Sequence, residues 1–322
     1  MKRTRSYLSS VPPLSPTDLR GLPVLVTGAS GFIGRHLTRR LETLGAAVHA
    51  TTRRSIEEQQ PPGVRWHTCD LTDPEAVADV VLRVRPAAVF HLASQGEGRR
   101  APELVLPMLD ANTRSAVAMM SAVQDIPGCR IVLAGSVEEP RDGAAPCSPY
   151  AAAKSAATRY AQLFHSQWNL QVTVLRIARV YGPDQPDTTR LVPYCIESFL
   201  DGDVPSVGSG TRLIDWVYVD DVVEAFVRAA TSPGAPGLVA DIGAGRARTI
   251  EEVVMTIAEL TGHIGPVPLG RWADRTDDVV HVADVLRTRE TLGWLATTEL
   301  TAGLTRTVDW HRRTRLLKRA IG

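Results

Sequence analysis

Three glycines within seven residues constrain the fold of this chain more than any other feature of its sequence. Gly28, Gly31 and Gly34 follow a short apolar run at residues 23–27 and open an amphipathic helical pattern. In such a unit, the first glycine permits a tight turn, the second lets the backbone approach a pyrophosphate, and the third lets the helix pack on the strand. The helix N-terminus then presents N–H groups and the positive end of its dipole to phosphate. The pattern predicts a dinucleotide site lined by Gly28, Ser30, Gly31, Phe32, Ile33 and Gly34, with a helix-capping loop that contains incidental glycines as the alternative.

Short β-rich runs alternate with longer amphipathic stretches along the first half of the chain. Strands are predicted at residues 23–27, 47–51, 64–68, 88–92, 130–133 and 172–176, and helices at 31–44, 74–84, 112–123 and 150–167. Continuously apolar strands with intervening helices are typical of a parallel sheet that is covered on both faces. The sequence therefore predicts an α/β fold with a Rossmann-like, doubly wound parallel sheet.

The pattern changes after Tyr181, where loop-rich segments separate helices predicted at 191–200, 221–230, 250–260 and 300–311. We interpret this half as a smaller mixed cap that closes a cleft over the carboxyl edge of the sheet, where open α/β sheets bind their ligands. The predicted organisation is a flexible N-terminal arm at 1–20 and a dinucleotide-binding domain at 21–180, to which some later segments return. Residues 181–322 are predicted to form mainly a substrate-binding domain.

Composition narrows the classes of function. The formal net charge of +1 argues against a nucleic-acid partner, because such proteins usually carry a basic surplus. No apolar run approaches the ~20 residues of a membrane span, and the basic N-terminus has no apolar stretch typical of a secretory signal. Four cysteines without a CxxC pair predict reduced thiols and a cytoplasmic protein. Eight scattered histidines without an HExxH pattern predict no metal site.

The stretch "VHATTRRS" at residues 48–55 bears on the choice of cofactor. NAD sites usually place an acidic residue ~20 residues beyond the glycines, where it binds the ribose 2′-hydroxyl. Here Thr52 stands at that position, and Arg53 and Arg54 follow it. A guanidinium suits a 2′-phosphate, so the sequence predicts NADP(H), with a solvated basic loop as the alternative. In "CDLTD", Asp70 and Leu71 are predicted to contact the adenine ring.

The segment "SPYAAAKSAATRY" carries the predicted proton chemistry. Tyr150 and Lys154 are four residues apart, which places them on one face of a helix, one turn apart. A lysine ammonium near the phenol is expected to lower the pKa of Tyr150, so that it exchanges a proton near neutral pH. Ser136, at the end of the strand "RIVLAGS", is expected to bind the same substrate oxygen.

Together these motifs resemble the extended short-chain dehydrogenases/reductases, in the group of NAD(P)-dependent sugar-nucleotide epimerases and dehydratases. The resemblance runs from about residue 22 to 310 and rests on "TGASGFIG", "CDLTD", "AVFHLAS", Asn112, "AGS", "SPYAAAK", "RIARVYGP", "DWVYVDDVVEAF" and "LGW". It implies a catalytic set of Ser136, Tyr150 and Lys154. It also implies that His91, Leu92, Ala93 and Ser94 line the nicotinamide side, with Tyr150 and Lys154 touching the cofactor. A nucleotide-linked sugar between the two domains and a homodimer are further expectations.

The chain departs from the pattern of this group at several substrate positions. Arg179 replaces the Asn of "RxxNVYGP", and Ile214 stands where an Arg is usual, with Arg212 two residues earlier. Arg275 lies in "RTDD", which resembles the family's "RPGD". We expect Arg179, Arg212 and Arg275 to hold the substrate diphosphate, with a surface arginine as the alternative for each.

The resemblance leaves the reaction open among several candidates. We favour NADPH-dependent reduction of a nucleotide-linked keto sugar at C4, because "GSVEEP" resembles the "GSSEEYG" stretch of keto-deoxysugar reductases. Glu138 is predicted to be a further catalytic residue. The alternatives are an epimerase and a 4,6-dehydratase, although the inert Val137 replaces the middle Asp or Ser of the dehydratase pattern. A non-catalytic NADP-binding regulator is a further alternative, disfavoured because Tyr150 and Lys154 are both present.

Overall fold

The computed structural model describes residues 19–53, 63–97, 99–141, 143–270 and 280–321. Within them, the chain forms ten strands: β1 (Pro23–Thr27), β2 (Ala47–Thr52), β3 (Arg65–Thr68), β4 (Ala88–His91), β5 (Arg130–Ser136), β6 (Gln171–Ile177), β7 (Arg179–Tyr181), β8 (Leu213–Tyr218), β9 (Val239–Ile242) and β10 (Ala247–Thr249). The helices are α1 (Phe32–Thr43), α2 (Pro74–Val84), α3 (Val105–Met108), α4 (Ser115–Val123), α5 (Pro149–Trp168), α6 (Leu191–Asp201), α7 (Val219–Thr231), α8 (Ile250–Thr261), α9 (Val285–Leu292) and α10 (Leu300–Ile321).

Seven strands form one sheet in the order β3-β2-β1-β4-β5-β6-β9, and all their pairings are parallel. The chain order reverses between β1 and β4, and open α/β sheets bind ligands in the crevice outside the strand ends at this point. The glycine turn follows β1 and therefore lies at this crevice. The predicted doubly wound parallel sheet is confirmed.

Apolar side chains cover both faces of the sheet. Along β1, Val24 and Val26 belong to a core cluster with Leu37 of α1 and Phe226 of α7, whereas Leu25 packs in a second cluster on the opposite face. Successive side chains of a strand point to opposite faces, so the continuous apolar run buries both. The second cluster includes residues of α2, α4 and α5.

A smaller mixed sheet stands in the second half of the chain, where β8 pairs in parallel with β7 and antiparallel with β10. Its own core contains Tyr181 and Trp216 together with Ile196 of α6, Val254 of α8 and Leu304 of α10. β9 returns from this half to extend the large sheet beside β6. Among the helices that the structure describes, none has the length and apolar character needed to cross a membrane.

In the part of the chain that the structure describes, side-chain caps mark the start of four helices: α2, α5, α8 and α9. Asp73 accepts backbone N–H groups of α2, Ser148 accepts the N–H of Ala151 in α5, and Pro occupies the first turn of both helices. The helix predicted at 112–123 differs: helical structure begins at Val105 and passes through a π-helical segment, Leu109–Arg114, before α4. The segment contains Asn112, and π-helical turns are frequent at functional sites.

Candidate active site

The glycine turn is shaped by close contacts that exclude larger side chains. Gly28 has a φ of 69°, and a Cβ there would lie 2.7 Å from the backbone nitrogen of Ala93. A Cβ on Gly34 would collide with the carbonyl oxygen of Gly28, so α1 packs on the turn only with glycine at this position. These are the two steric roles expected of the first and third glycines.

The N-terminus of α1 is open to an anion. Gly31 is its N-cap residue, no side chain of the described residues caps it, and its own first turn carries no acidic residue. Phe32 and Ile33 open this first turn and are half-buried, while Ser30 is exposed. The backbone N–H groups of such a turn suit a pyrophosphate, so the residues present fit a dinucleotide.

Two arginines of α1 connect the turn to the second half of the chain. The Nε atom of Arg35 donates to the carbonyl oxygen of Ser30 at 2.9 Å, and its guanidinium pairs with Asp184 at 3.1 Å. Arg39 pairs with the other oxygen of Asp184 at 3.0 Å. The segment after β7 is therefore held against the glycine turn.

At the ends of β2 and β3, the structure places Thr52 half-buried and Arg53 exposed. The Asp70 carboxylate accepts the backbone N–H of Thr72 at 2.9 Å and its hydroxyl at 2.8 Å. These hydrogen bonds lower the pKa of Asp70, to which the charge of Arg53 also contributes. Leu71 is half-buried beside Asp70. Arg54 lies outside the described residues.

The end of β4 is anchored by hydrogen bonds. His91 contacts the hydroxyl of Thr27 through Nδ1 at 3.0 Å, and the same hydroxyl accepts the backbone N–H of Ala93 at 3.2 Å. Burial lowers the pKa of His91 to about 3, with the charge of Lys154 adding to the effect, so the ring is neutral. The hydroxyl of Ser94 donates to the side chain of Asn112 at 2.5 Å. Together with Leu92, these residues form the wall of the crevice beside Gly28.

The structure brings together Ser136, Tyr150 and Lys154, the catalytic set that the resemblance implies. Ser136 is the last residue of β5 and is buried, while Tyr150 and Lys154 lie in the first turns of α5. The Lys154 Nζ atom donates to the carbonyl oxygen of Ala134 at 2.7 Å and lies 5.8 Å from the centroid of the Tyr150 ring. The side chain of Ser136 also lowers the pKa of Tyr150, which places the two side chains close together.

The pKa of Tyr150 differs from what its spacing to Lys154 led us to expect. Burial raises the pKa of Tyr150 to about 12, and the charge of Glu138 raises it further, against the opposing effects of Ser136 and Arg179. Burial also lowers the pKa of Lys154 to about 8, although the charge of Glu139 opposes this. The prediction that Lys154 lowers the pKa of Tyr150 is therefore wrong for this structure, since desolvation dominates. The phenol is protonated at neutral pH.

Two consecutive glutamates follow Ser136 and have different environments. Glu138 is half-buried, its backbone N–H donates to the Ser136 hydroxyl at 3.2 Å, and its carboxylate lies 3.6 Å from Arg179. Glu139 is buried and accepts the backbone N–H of Ser136 at 2.8 Å and the hydroxyl of Thr158 at 2.7 Å. Sequence reasoning missed Glu139 and Thr158. The available signal was the position of Thr158, four residues beyond Lys154 on the same helical face.

Three arginines, of which Arg179 lies beside Glu138, interact electrostatically with one another. The charges of Arg190 and Arg212 both lower the pKa of Arg179, after the larger effect of its burial. Arg190, which the sequence analysis did not select, pairs with Asp187 at 2.8 Å and donates to the carbonyl oxygen of Gly96 at 2.8 Å. Arg179 and Arg212 therefore belong to one cationic surface. Arg275 lies outside the described residues.

A comparison with known families agrees with this geometry. Residues 24–243 match the family described as the NAD dependent epimerase/dehydratase family, and they contain the glycine turn and all three predicted catalytic residues. The chain belongs to this family. The resemblance to extended short-chain dehydrogenases/reductases is thereby confirmed, and the protein is an enzyme of the NAD(P)-dependent type.

Individual relatives match over nearly their whole length. The chain is 30% identical to a UDP-glucose 4-epimerase of Mycolicibacterium smegmatis, with 89% of this chain and 98% of the relative aligned. It is 27% identical to a dTDP-glucose 4,6-dehydratase of Neisseria gonorrhoeae, with 89% and 95% aligned. Among solved structures, MoeE5 in complex with UDP-glucuronic acid and NAD is 33% identical, has a TM-score of 0.79, and aligns 90% of this chain with 99% of its own.

Proposed function

We propose that this enzyme is a 4-epimerase of a nucleoside diphosphate sugar that uses a bound nicotinamide dinucleotide. This proposal rests on one observation: Ser136, Tyr150 and Lys154 lie close together beside the glycine turn. The identity to a UDP-glucose 4-epimerase supports it. The comparisons thus favour the alternative from the sequence over the ketoreductase expected first.

In the proposed reaction, the side chains act on the C4 oxygen of the sugar. A nicotinamide dinucleotide held at the glycine turn would supply reversible hydride acceptance at C4, so that inversion there needs no net oxidation. Tyr150 in its phenolate form takes the proton of the C4 hydroxyl in the oxidation half and returns it in the reduction half, and a cationic nicotinamide nearby would favour that form. Ser136 donates a hydrogen bond to the same oxygen. Lys154, fixed by its hydrogen bond to Ala134, holds a positive charge near the phenol of Tyr150.

For a dehydratase, the site lacks, among its described residues, an acidic group that the reaction requires. Loss of the C6 hydroxyl needs an acid beside the Ser136–Tyr150 pair, and the second residue of the Ser136-Val137-Glu138 run is the expected carrier. Val137 instead packs in the main core and is 7% exposed. An aliphatic side chain in the core donates no proton, which favours an epimerase over a dehydratase.

A second candidate is the NADPH-dependent 4-ketoreductase, which the end of β2 favours. Thr52 and Arg53 offer no carboxylate to a ribose 2′-hydroxyl, and the exposed Arg53 suits a 2′-phosphate. We therefore propose NADP(H) as the preferred cofactor. A reductase that consumes its cofactor uses NADPH, and the protonated Tyr150 phenol suits the donation of a proton to a ketone.

One experiment separates the two candidates. The purified enzyme is given UDP-glucose, UDP-glucuronic acid and dTDP-glucose with catalytic amounts of NAD+ or NADP+, and nuclear magnetic resonance follows the configuration at C4. Inversion without net change in cofactor supports the epimerase. Stoichiometric loss of NADPH absorbance with a nucleotide-linked 4-keto sugar, and no inversion of the other sugars, would replace it with the reductase.

We further propose a cytoplasmic homodimer, with the dinucleotide bound mainly by residues 21–180 and the sugar mainly by 181–322. An exposed apolar surface supports the dimer, since Leu106, Leu109, Tyr160 and Leu163 are 69%, 43%, 44% and 40% exposed. They lie on α3, on the π-helical segment and on α5, and α3 and α5 are in contact. Patches of this kind usually mark protein interfaces. Light scattering of the wild type and Leu106→Lys tests this, and a monomeric wild type would contradict it.

A further inference from the structure

Arg179 lies beside the predicted catalytic residues. Ile177 pairs in register with Ser136 across β6 and β5, and Arg179 follows two residues later as the first residue of β7. Its guanidinium lies 3.6 Å from the carboxylate of Glu138, whose own N–H donates to the Ser136 hydroxyl. Its charge also lowers the pKa of Tyr150. The cation is therefore close to the group that acts on C4 of the sugar.

Among the described residues, Glu138 is the carboxylate that pairs with Arg179, and the contact is a long one. Close charge-assisted arginine–carboxylate bonds are about 2.7–2.9 Å long, whereas the Arg179–Glu138 contact is 3.6 Å. The charges of Arg190, which pairs with Asp187, and of Arg212 both lower the pKa of Arg179. The Arg179 side chain is 36% exposed, so a ligand can reach it, and a carboxylate on that ligand would form charge-assisted hydrogen bonds with it.

We propose that Arg179 binds a carboxylate on the sugar ring and so selects nucleoside diphosphate hexuronic acids over neutral hexoses. This inference rests on the proposed function, because Tyr150 must act at C4. The carboxylate of a hexuronic acid is attached to C5, the carbon next to C4, so a cation beside the phenol is in reach of it. The planar guanidinium matches a carboxylate by two parallel hydrogen bonds. The likeness to MoeE5, whose structure contains UDP-glucuronic acid, supports this choice.

The competing role for Arg179 is the one expected from the sequence, binding of the diphosphate. The two roles differ in what the substitution Arg179→Asn does to a pair of ligands with the same diphosphate. Calorimetric affinities are measured for UDP-glucuronic acid and UDP-glucose, and for the corresponding dTDP sugars, with cofactor present. The reported quantity is the ratio of affinities for the acidic and the neutral sugar.

In the wild type, we expect the acidic sugar to bind at least about tenfold more tightly, as a charge-assisted hydrogen bond contributes. Arg179→Asn should bring this ratio close to one. Arg212→Asn, the matched control in the same cationic surface, should weaken both ligands together and keep the ratio. Glu138→Gln should raise the ratio, because it removes the carboxylate that competes for Arg179. A higher ratio of affinities in Glu138→Gln would not be caused by misfolding of the variant.

The outcomes test the preference for hexuronic acids separately from the proposed function on which it rests. If sugar nucleotides bind and the wild-type ratio is near one, the hexuronic acid assignment is wrong while the proposed function stands. If Arg179→Asn weakens both ligands by the same factor, Arg179 binds the diphosphate instead. If none of the four sugar nucleotides binds the holoenzyme, the proposed function itself is overturned, and the inference falls with it.

Discussion

The hydroxyl of Thr158 donates a hydrogen bond of 2.7 Å to the buried carboxylate of Glu139. The other oxygen of this carboxylate accepts the backbone N–H of Ser136 at 2.8 Å. Thr158 lies one turn beyond Lys154 on α5, and Ser136 ends β5, so Glu139 connects the helix to the strand. Lys154 makes a second connection through Ala134. These two connections set the spacing between the Ser136 hydroxyl and the helix that carries Tyr150.

The first prediction concerns the contribution of this connection to stability. Glu139→Val leaves two buried donors without an acceptor, and we expect it to lower the free energy of unfolding by about 2–4 kcal/mol. Thr158→Val removes one hydrogen bond and should cost about 1–2 kcal/mol. Thr43→Val, at an exposed threonine of α1, is the control and should change stability by less than about 0.5 kcal/mol. Urea unfolding followed by circular dichroism provides the values. Equal losses for the buried and exposed threonines would contradict the connection.

The second prediction concerns the charge of Glu139, which is separate from its hydrogen bonds. Glu139 raises the pKa of Lys154, which burial lowers to about 8, so Glu139→Gln should lower that pKa further. Lys154 is charged below its pKa and loses its charge as the pH rises through it. Cofactor affinity that depends on this charge should therefore fall at a lower pH in the variant. Fluorescence titrations of NADPH between about pH 6 and about pH 10 measure the midpoint.

Two controls accompany these titrations. Lys154→Met should show weak binding with no transition assigned to Lys154, and Thr158→Val, which keeps the charge of Glu139, should keep the wild-type midpoint. An unchanged midpoint in Glu139→Gln would mean that Glu139 has only a structural role.

The third prediction concerns proton transfer. Tyr150→Phe removes the phenolic proton and should lower turnover by about 10²–10⁴-fold, with cofactor still bound. Ser136→Ala should cost less, because the C4 oxygen keeps its contact with Tyr150. Since the pKa of Tyr150 is raised to about 12, the step in which the phenol donates a proton should show no loss from Tyr150 ionisation near neutral pH. Single-turnover kinetics measure these rates. Near-full activity in Tyr150→Phe would assign the proton to another group, of which Glu138 is the nearest candidate.

The fourth prediction concerns cofactor choice at the end of β2. NADPH should bind about tenfold or more tightly than NADH, because a charge-assisted contact with a 2′-phosphate contributes about 1.5–3 kcal/mol. Arg53→Ala should reduce this preference and affect NADH little. Arg53→Ala is compared with Arg39→Ala, since Arg39 also lies near the turn but pairs with Asp184. Equal affinities of the unsubstituted enzyme for the two cofactors would remove the basis for NADP(H).

Local features of the sequence were sufficient for much of the fold. β1 and α2 begin and end at the predicted residues. An apolar run between turn residues specifies a strand, and a capped amphipathic stretch specifies a helix, from a few neighbouring residues alone. Tyr150 and Lys154 share one helical face for the same reason, since a spacing of four residues in a helix needs no tertiary information. The glycine turn is likewise specified by residues that are adjacent in the sequence.

Only the tertiary structure decided the contacts and charges of the site. Ser136 lies close to Tyr150, and Arg179 lies close to Glu138. The order of β5, β6 and β7 brings these segments together. Glu139 became buried because the chain folds back over Gly135, where a Cβ would lie 2.6 Å from its carboxylate. The pKa of Tyr150 rose because desolvation outweighs nearby cations, and desolvation depends on all the atoms packed around a group rather than on its neighbours in the sequence.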